Sequence, residues 1–389
     1  MAHAPYAMDV KGSRGRRYPE PQHRYRNDYA RDRDRVIHSR AFRRLEAKTQ
    51  VFTTRYSDHF RNRLTHTLEV TQIARTAADA LRLNTDLAEA LALVHDIGHP
   101  PFGHAGERQL DIRMREYGDY FDHNLHALHI VEKFEQRYLD FPGLNLTFEV
   151  REGIIKHSRD YSAADFPALA EYLLDQQPPL EAQLIDLVDE IAYNTADLDD
   201  SYEARILDIE QLCAEVPLFA RAHAEVDRRY PVGERKLKFN EALKRILDYL
   251  VTDLILNTRK RVAESGAGSV DDIRSAQHRL ASFSPDAARE NAYLKRFLHS
   301  HVYSQPAIDE ERNRSAAALD ALFDFFMQHP NQMSKHHAEL AEIEPRHRVV
   351  CDYIAGMTDH FLLRQWRELV GASTVPSDRW RSIGQLPTT

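Results

Sequence analysis

Cysteine is almost absent from this chain. Of 389 residues only Cys213 and Cys351 carry a thiol, so a disulfide framework is not expected and a reducing, cytoplasmic setting is. No stretch approaches the roughly eighteen uninterrupted apolar residues of a membrane span, and no membrane partner is expected. The opening residues, MAHAPYAMDVKGSRGRR, pass from apolar to basic without a hydrophobic core and do not read as a secretory signal. Internal repeats and low-complexity blocks are missing, which favours one domain. A Walker-type glycine loop is lacking too, so any phosphate must be held by cations.

What is present is a soluble, globular balance of 42% hydrophobic and 29% charged residues, enough to bury a core. The net charge of −8 is unevenly spread. Residues 1–63 hold sixteen Lys or Arg against seven Asp or Glu, a local +9 that leaves −17 for the rest. Such asymmetry points to a polyanion near the amino-terminal part, with a solvated or oligomer-forming arm as the plain alternative. Apolar residues recur at three and four residue spacing while strand-like alternation is scarce, so an all-α chain is predicted. Helices are expected over 63–83, 86–97, 123–136, 149–157, 180–199, 239–262, 285–300, 312–328 and 346–370, with Asn84 and Thr85 as cap candidates and Gly98 and Pro100 as terminators. Only a short extended piece near residues 48–54 is expected. The predicted partition is a basic arm (1–30), a single multi-helix core (31–370) and an irregular tail (371–389).

Histidine stands out. Six of the 21 lie between His95 and His129, and histidine both binds metals and moves protons near neutral pH. The centre is VHDIGHPPFGH, from Val94 to His104. His95 and Asp96 are neighbours at a helix end, about 100° apart around the axis, and both can reach one ion. Two ligands do not hold a metal, and the others must come from other helices. His66 shares a face with Val70 and Ile73 and is expected to point inward. Asp189 sits among Ile185, Val188 and Ala192, where a carboxylate is costly unless paired or coordinating. Imidazole and carboxylate together suit Mn, Fe, Co, Ni, Zn or Mg. Singly, each residue is more often structural; in this order they point to one site for one divalent cation.

The pattern His66, His95-Asp96 and Asp189 resembles that of the HD-domain superfamily of metal-dependent phosphohydrolases. SRAFRRLEAKTQVF from Ser39, HDIGHPPFGHAGE from His95, DEIAYNTADLDD from Asp189 and DYIAGMTD from Asp352 are similar to the bacterial dGTPase-like deoxynucleoside triphosphate triphosphohydrolases, over about Arg14 to Val370. The resemblance implies an HD-domain bundle that hydrolyses a dNTP at the α-phosphorus to a deoxynucleoside and tripolyphosphate, with additional Mg arriving on the nucleotide. It implies His104 as proton donor to the leaving 5′ oxygen, and His99 and His123 as phosphate contacts, with Asn124 beside them on the substrate. Arg63, one turn before His66, is placed to meet phosphate, with Lys48 and Arg44 as weaker candidates. Asp189, Tyr193 and Asp197 form one stripe at i, i+4 and i+8; the resemblance gives Gln50 and Asp197 to the 3′ hydroxyl and Tyr193 to a wall that disfavours ribose. Tyr303 and Tyr353 are candidates to stack on the base.

The chain departs from the family at Asp122, His126 and His129, where Glu, Gln and Arg are more usual, and at His360, where Arg is common. These changes spare the metal ligands and leave base preference and any nucleotide effector open. A homo-oligomer is expected. Two alternatives compete: an HD nucleotidase or phosphodiesterase acting on other nucleotides, and a nucleic-acid-binding regulator with a vestigial site, holding single strands weakly through its basic arm.

Overall fold

Every regular element of the structure, a computed structural model describing residues 2–50 and 60–371, is a helix. Among the described residues there is no strand. Three isolated bridges occur, one of them Thr49 with Asn62; most of the extended piece expected at 48–54 lies outside the described residues. The all-α expectation therefore holds. No helix among the described residues is long and apolar enough to cross a membrane.

The described residues form two compact units, 2–50 and 60–99 with 122–310, and 100–121 with 311–371. The first carries the helices that hold the chemistry. Asp28–Ile37, Arg63–Ala80 and Thr85–Val94 pack together, and Arg63–Ala80 also packs on Leu180–Glu203, which in turn meets the 31-residue helix Arg235–Ser265. Its core runs through Val70, Ile73, Leu87, Leu91, Val94, Val188 and Ile191. The second unit has its own core of Leu110, Met114, Leu322, Phe323, Phe326, Val350 and Ile354, built by Gly103–Arg115, most of Pro306–Gln328 and Arg346–Ala355.

Local chemistry explains the element ends. Asn84 caps Thr85–Val94 by accepting from the Leu87 backbone N–H, as its residue type predicts. Two expected helices differ. The stretch expected at 123–136 is α-helical only over His123–His129 and then widens into a π-helical turn, Ile130–Phe134. The stretch expected at 346–370 breaks into Arg346–Ala355 and Asp359–Leu369, because Thr358 caps a new start by accepting from the Phe361 N–H. Helices Asp28–Ile37 and Gly103–Arg115 were not foreseen, since charged residues mask their apolar stripe. The basic amino-terminal segment folds onto the first unit. Arg16 is buried against Asp32 at 2.5 Å, and Arg31 and Arg35 both reach Glu20. Part of the local positive excess is thus neutralised internally.

Candidate metal centre

Asn62 caps the His66 helix by accepting from the Thr65 N–H, and this start sets which face turns inward. His66, Val70 and Ile73 are all buried, the stripe that the spacing predicts. His95 is the C-cap of the next helix, and Asp96 follows it in the turn. Gly98 in that turn is irreplaceable on steric grounds. A Cβ there would lie 2.0 Å from the His123 carbonyl oxygen and 2.6 Å from the Ala127 nitrogen, so only glycine lets the two backbones meet.

The four expected ligands converge in the first unit. His66 Nε2 stands 2.7 Å from Asp189 Oδ1, and His95 Nε2 lies 3.7 Å from both Asp96 Oδ1 and Asp189 Oδ1. The other ring nitrogen of His95 contacts the Ala92 carbonyl at 2.6 Å, which fixes the ring and leaves Nε2 facing the carboxylates. That Nε2 is buried and has no hydrogen-bond partner among the described residues. Ligand atoms of His66, His95 and Asp96 lie within 4.8 Å of one another, as do those of His95, His157 and Asp189. A buried nitrogen facing two carboxylates, with no hydrogen bond among the described residues, fits a divalent cation of the borderline or hard type.

The electrostatics agree. Burial opposes a proton on His95, yet Asp96 and Asp189 outweigh it and raise the imidazole to about 9. Burial would raise Asp96, but Arg63, His99 and His95 hold its carboxyl well below the usual range. Asp189 is held low in the same way, against burial, by His66 and His95. Two ionised carboxylates thus demand positive charge inside a buried site, and a cation supplies it. Arg63 answers part of that demand: its Nη1 donates to Asp96 Oδ2 at 2.8 Å while only 2% of the residue is exposed.

The remaining expected residues divide. His99 Nδ1 is 2.8 Å from Asp96 Oδ1, and its ring stacks on His123 at 4.1 Å. Burial, with Arg63 and His123 beside it, drives His99 well below the ordinary histidine value and keeps it neutral. Lys48, nearly fully buried, donates to the His99 carbonyl at 2.5 Å. Asn124 Nδ2 donates to the His157 carbonyl at 2.6 Å. Further along the Asp189 helix, Tyr193 is half-buried under Lys295 Nζ, 5.6 Å from the ring centroid. Buried Asp197 accepts a hydrogen bond from the Tyr303 hydroxyl, which joins two residues that were assigned separate roles. Gln50 Oε1 is buried with no partner among the described residues. His104 and Tyr353 belong to the second unit. There His104 Nδ1 is 3.2 Å from Glu107, with the side chain 70% exposed, and Tyr353 packs edge-on against Phe326.

His157 was passed over in the sequence. Its ring lies 5.3 Å from that of His95 and 6.5 Å from that of His123, and its Nδ1 is 2.5 Å from Asp186 Oδ1. A signal existed: Asp186 and Asp189 are three residues apart on one helix and share a face.

Comparison with known proteins follows this geometry closely. Residues 63–194, which contain all four ligands, match the HD domain family, and residues 281–368 match a phosphohydrolase-associated domain. A deoxyguanosinetriphosphate triphosphohydrolase-like protein of Bordetella pertussis is 44% identical over 370 residues, covering 94% of this chain and 96% of that protein. One from a Caulobacter species is 43% identical over 379 residues, covering 94% and 96%. A solved hypothetical protein from Aquifex aeolicus aligns over 86% of this chain and 67% of its own at 17% identity, with a TM-score of 0.38, too low to bear on the argument. These relatives support a phosphohydrolase role. With the HD domain family matched over residues 63–194 and its sequence matched nearly end to end by these relatives, the chain belongs to the dGTPase-like triphosphohydrolase family of HD-domain proteins.

Proposed function

We propose that this protein hydrolyses deoxynucleoside triphosphates to a deoxynucleoside and tripolyphosphate. The observation that carries the reading is the convergence of His66, His95, Asp96 and Asp189 in a chain matched along its length by dGTPase-like relatives. A divalent cation held by these four would supply Lewis acidity at a phosphoryl oxygen and lower the pKa of water. The chain's own groups do the rest. Arg63 orients Asp96 and adds a fixed positive charge beside the phosphate position. His99, kept neutral, and His123, stacked on it, contact the phosphates, with Lys48 fixing the His99 backbone from behind.

Sugar selection falls to the later turns of the Asp189 helix. Asp197 and Gln50 bind the 3′ hydroxyl, Gln50 through a buried oxygen that finds no partner among the described residues. Tyr193 crowds a 2′ hydroxyl, and Asn124, anchored on the His157 carbonyl, contacts the substrate. The leaving 5′ oxygen needs a proton, and His104 is assigned this role on the family motif. Mg bound to the nucleotide and assembly as a homo-oligomer complete the reading.

The test is product analysis across a panel of dNTPs and NTPs with each divalent metal. Tripolyphosphate in equal amount to deoxynucleoside is expected. Release of orthophosphate from nucleoside monophosphates, with dNTPs left intact, would replace this reading by a nucleotidase.

A further inference from the structure

We propose that His157 belongs to the metal centre as a third imidazole, steered by Asp186 and Arg279, and that it biases the site toward a borderline transition-metal cation and away from magnesium. The inference rests on the metal-centre reading above. Its first support is position: His157, His95 and Asp189 can bring their ligand atoms within 4.8 Å of one another, the same closeness that unites His66, His95 and Asp96. The second is orientation. His95 has Nδ1 engaged by the Ala92 carbonyl, and His157 has Nδ1 at 2.5 Å from the Asp186 carboxylate. A carboxylate within ion-pair distance of an imidazole restrains the ring, the kind of support that metal-bound histidines receive. The other nitrogen, Nε2, lies 3.2 Å from the Ser158 hydroxyl, a rotor that can yield.

The third support is the effort spent on holding the ring. Asp186 is fixed on its far oxygen by Arg279 and on its near one by the Ser158 N–H at 2.9 Å. Arg279 also donates to the Lys156 carbonyl at 2.7 Å, and Asn124 Nδ2 holds the His157 carbonyl. Ser158 itself takes a left-handed backbone, φ +54°, which costs a non-glycine residue energy and recurs at functional sites. The backbone is therefore pinned before, at and after His157. A histidine that served only to fill space would need none of this, because its own apolar contacts would set its rotamer.

Softer nitrogen donors favour Mn through Zn over Mg, which prefers oxygen and water. The deciding experiment titrates Co2+ and, separately, Mg2+ into metal-stripped full-length protein: unmodified, His157→Gln, Asp186→Asn and His66→Ala. Calorimetry gives each Kd, and the visible absorption of bound Co2+ reports its coordination. We expect His157→Gln to weaken Co2+ binding by roughly 10–100-fold and to alter the Co2+ spectrum, with Asp186→Asn nearer tenfold. Mg2+ binding should change by less than about threefold, a selectivity that general structural damage does not produce. If His157→Gln does not fold, the Co2+ to Mg2+ ratio in Asp186→Asn decides. An unchanged Co2+ spectrum with affinity within about twofold, or equal loss for both cations, would overturn the assignment while His66→Ala still abolishes binding. Failure of the unmodified protein to bind either cation would overturn the metal-centre reading itself, and this proposal with it.

Discussion

At Asp189 the helix Leu180–Glu203 sets a partly buried carboxylate against His66 and His95, whereas about two turns later, at Asp197, the same face sets a fully buried one against the phenol of Tyr303. Burial pushes both carboxyls toward protonation. At Asp189 the imidazoles win and the group stays ionised well below its usual value. At Asp197 the Tyr303 hydrogen bond is not enough, Asp200 adds repulsion, and the carboxyl rises to about 7. Imidazole donors around an ionised carboxylate suit one end of the stripe to the proposed cation. A phenol beside a carboxyl that keeps its proton more readily suits the other end to the proposed sugar hydroxyl, which can give or accept a hydrogen bond there.

The sharpest way to break this contrast is at the metal end. Asp189→Ala should lose the bound cation and bring turnover to background, since removing one partner of a buried charged cluster leaves the others uncompensated. One equivalent of metal found by elemental analysis in that variant would end the comparison. Next in size, and belonging to neither end, is His104→Ala. The proposed proton donor would act only in the transition state, so the variant should keep metal and dNTP affinity while turnover falls by roughly two to four orders of magnitude. Near-normal single-turnover chemistry would pass the role to another group.

Asp197→Ala should leave metal content unchanged and cost about 10–100-fold in kcat/KM for a dNTP, the worth of a hydrogen bond to a charged or strongly polar group. Loss of metal in this variant would show that the two ends are one site. The smallest effect is in pH dependence. Because the folded-state carboxyl of Asp197 is raised to about 7 from an ordinary 3.8, its contribution favours the fold fully below pH 3.8 and is lost as pH rises through 7. Asp197→Asn should therefore flatten the decline in melting temperature between about pH 4 and 7. An identical slope in both proteins, measured by calorimetry on metal-free samples, would mean that Asp197 is ionised like Asp189.

The metal end was far more legible in the sequence than the surroundings that tune it. His66, His95, Asp96 and Asp189 could be read because each sits on a periodic helical face or beside a helix end, and their order along the chain is informative. The split of the last expected helix at Gly356 to Thr358 could have been read from the threonine cap, whereas the π-helical turn at Ile130–Phe134 has no comparable local mark. His157 was missed for a different reason. What distinguishes it from an ordinary histidine at a helix end is Asp186 behind its ring and Arg279 behind Asp186, and neither lies near it in the chain.

By itself, then, the sequence determined the all-α class, most of the longer helices and the inward faces that carry His66 and Asp189, because periodicity and residue chemistry act over a few residues at a time. Only the tertiary structure decided which charges these groups carry and what each is tied to: Arg63 on Asp96, Lys48 on the His99 carbonyl, Tyr303 on Asp197, Asp186 on His157. Those outcomes depend on burial and on partners distant in sequence, and in a buried site a few ångströms between such partners decide whether a carboxyl is ionised.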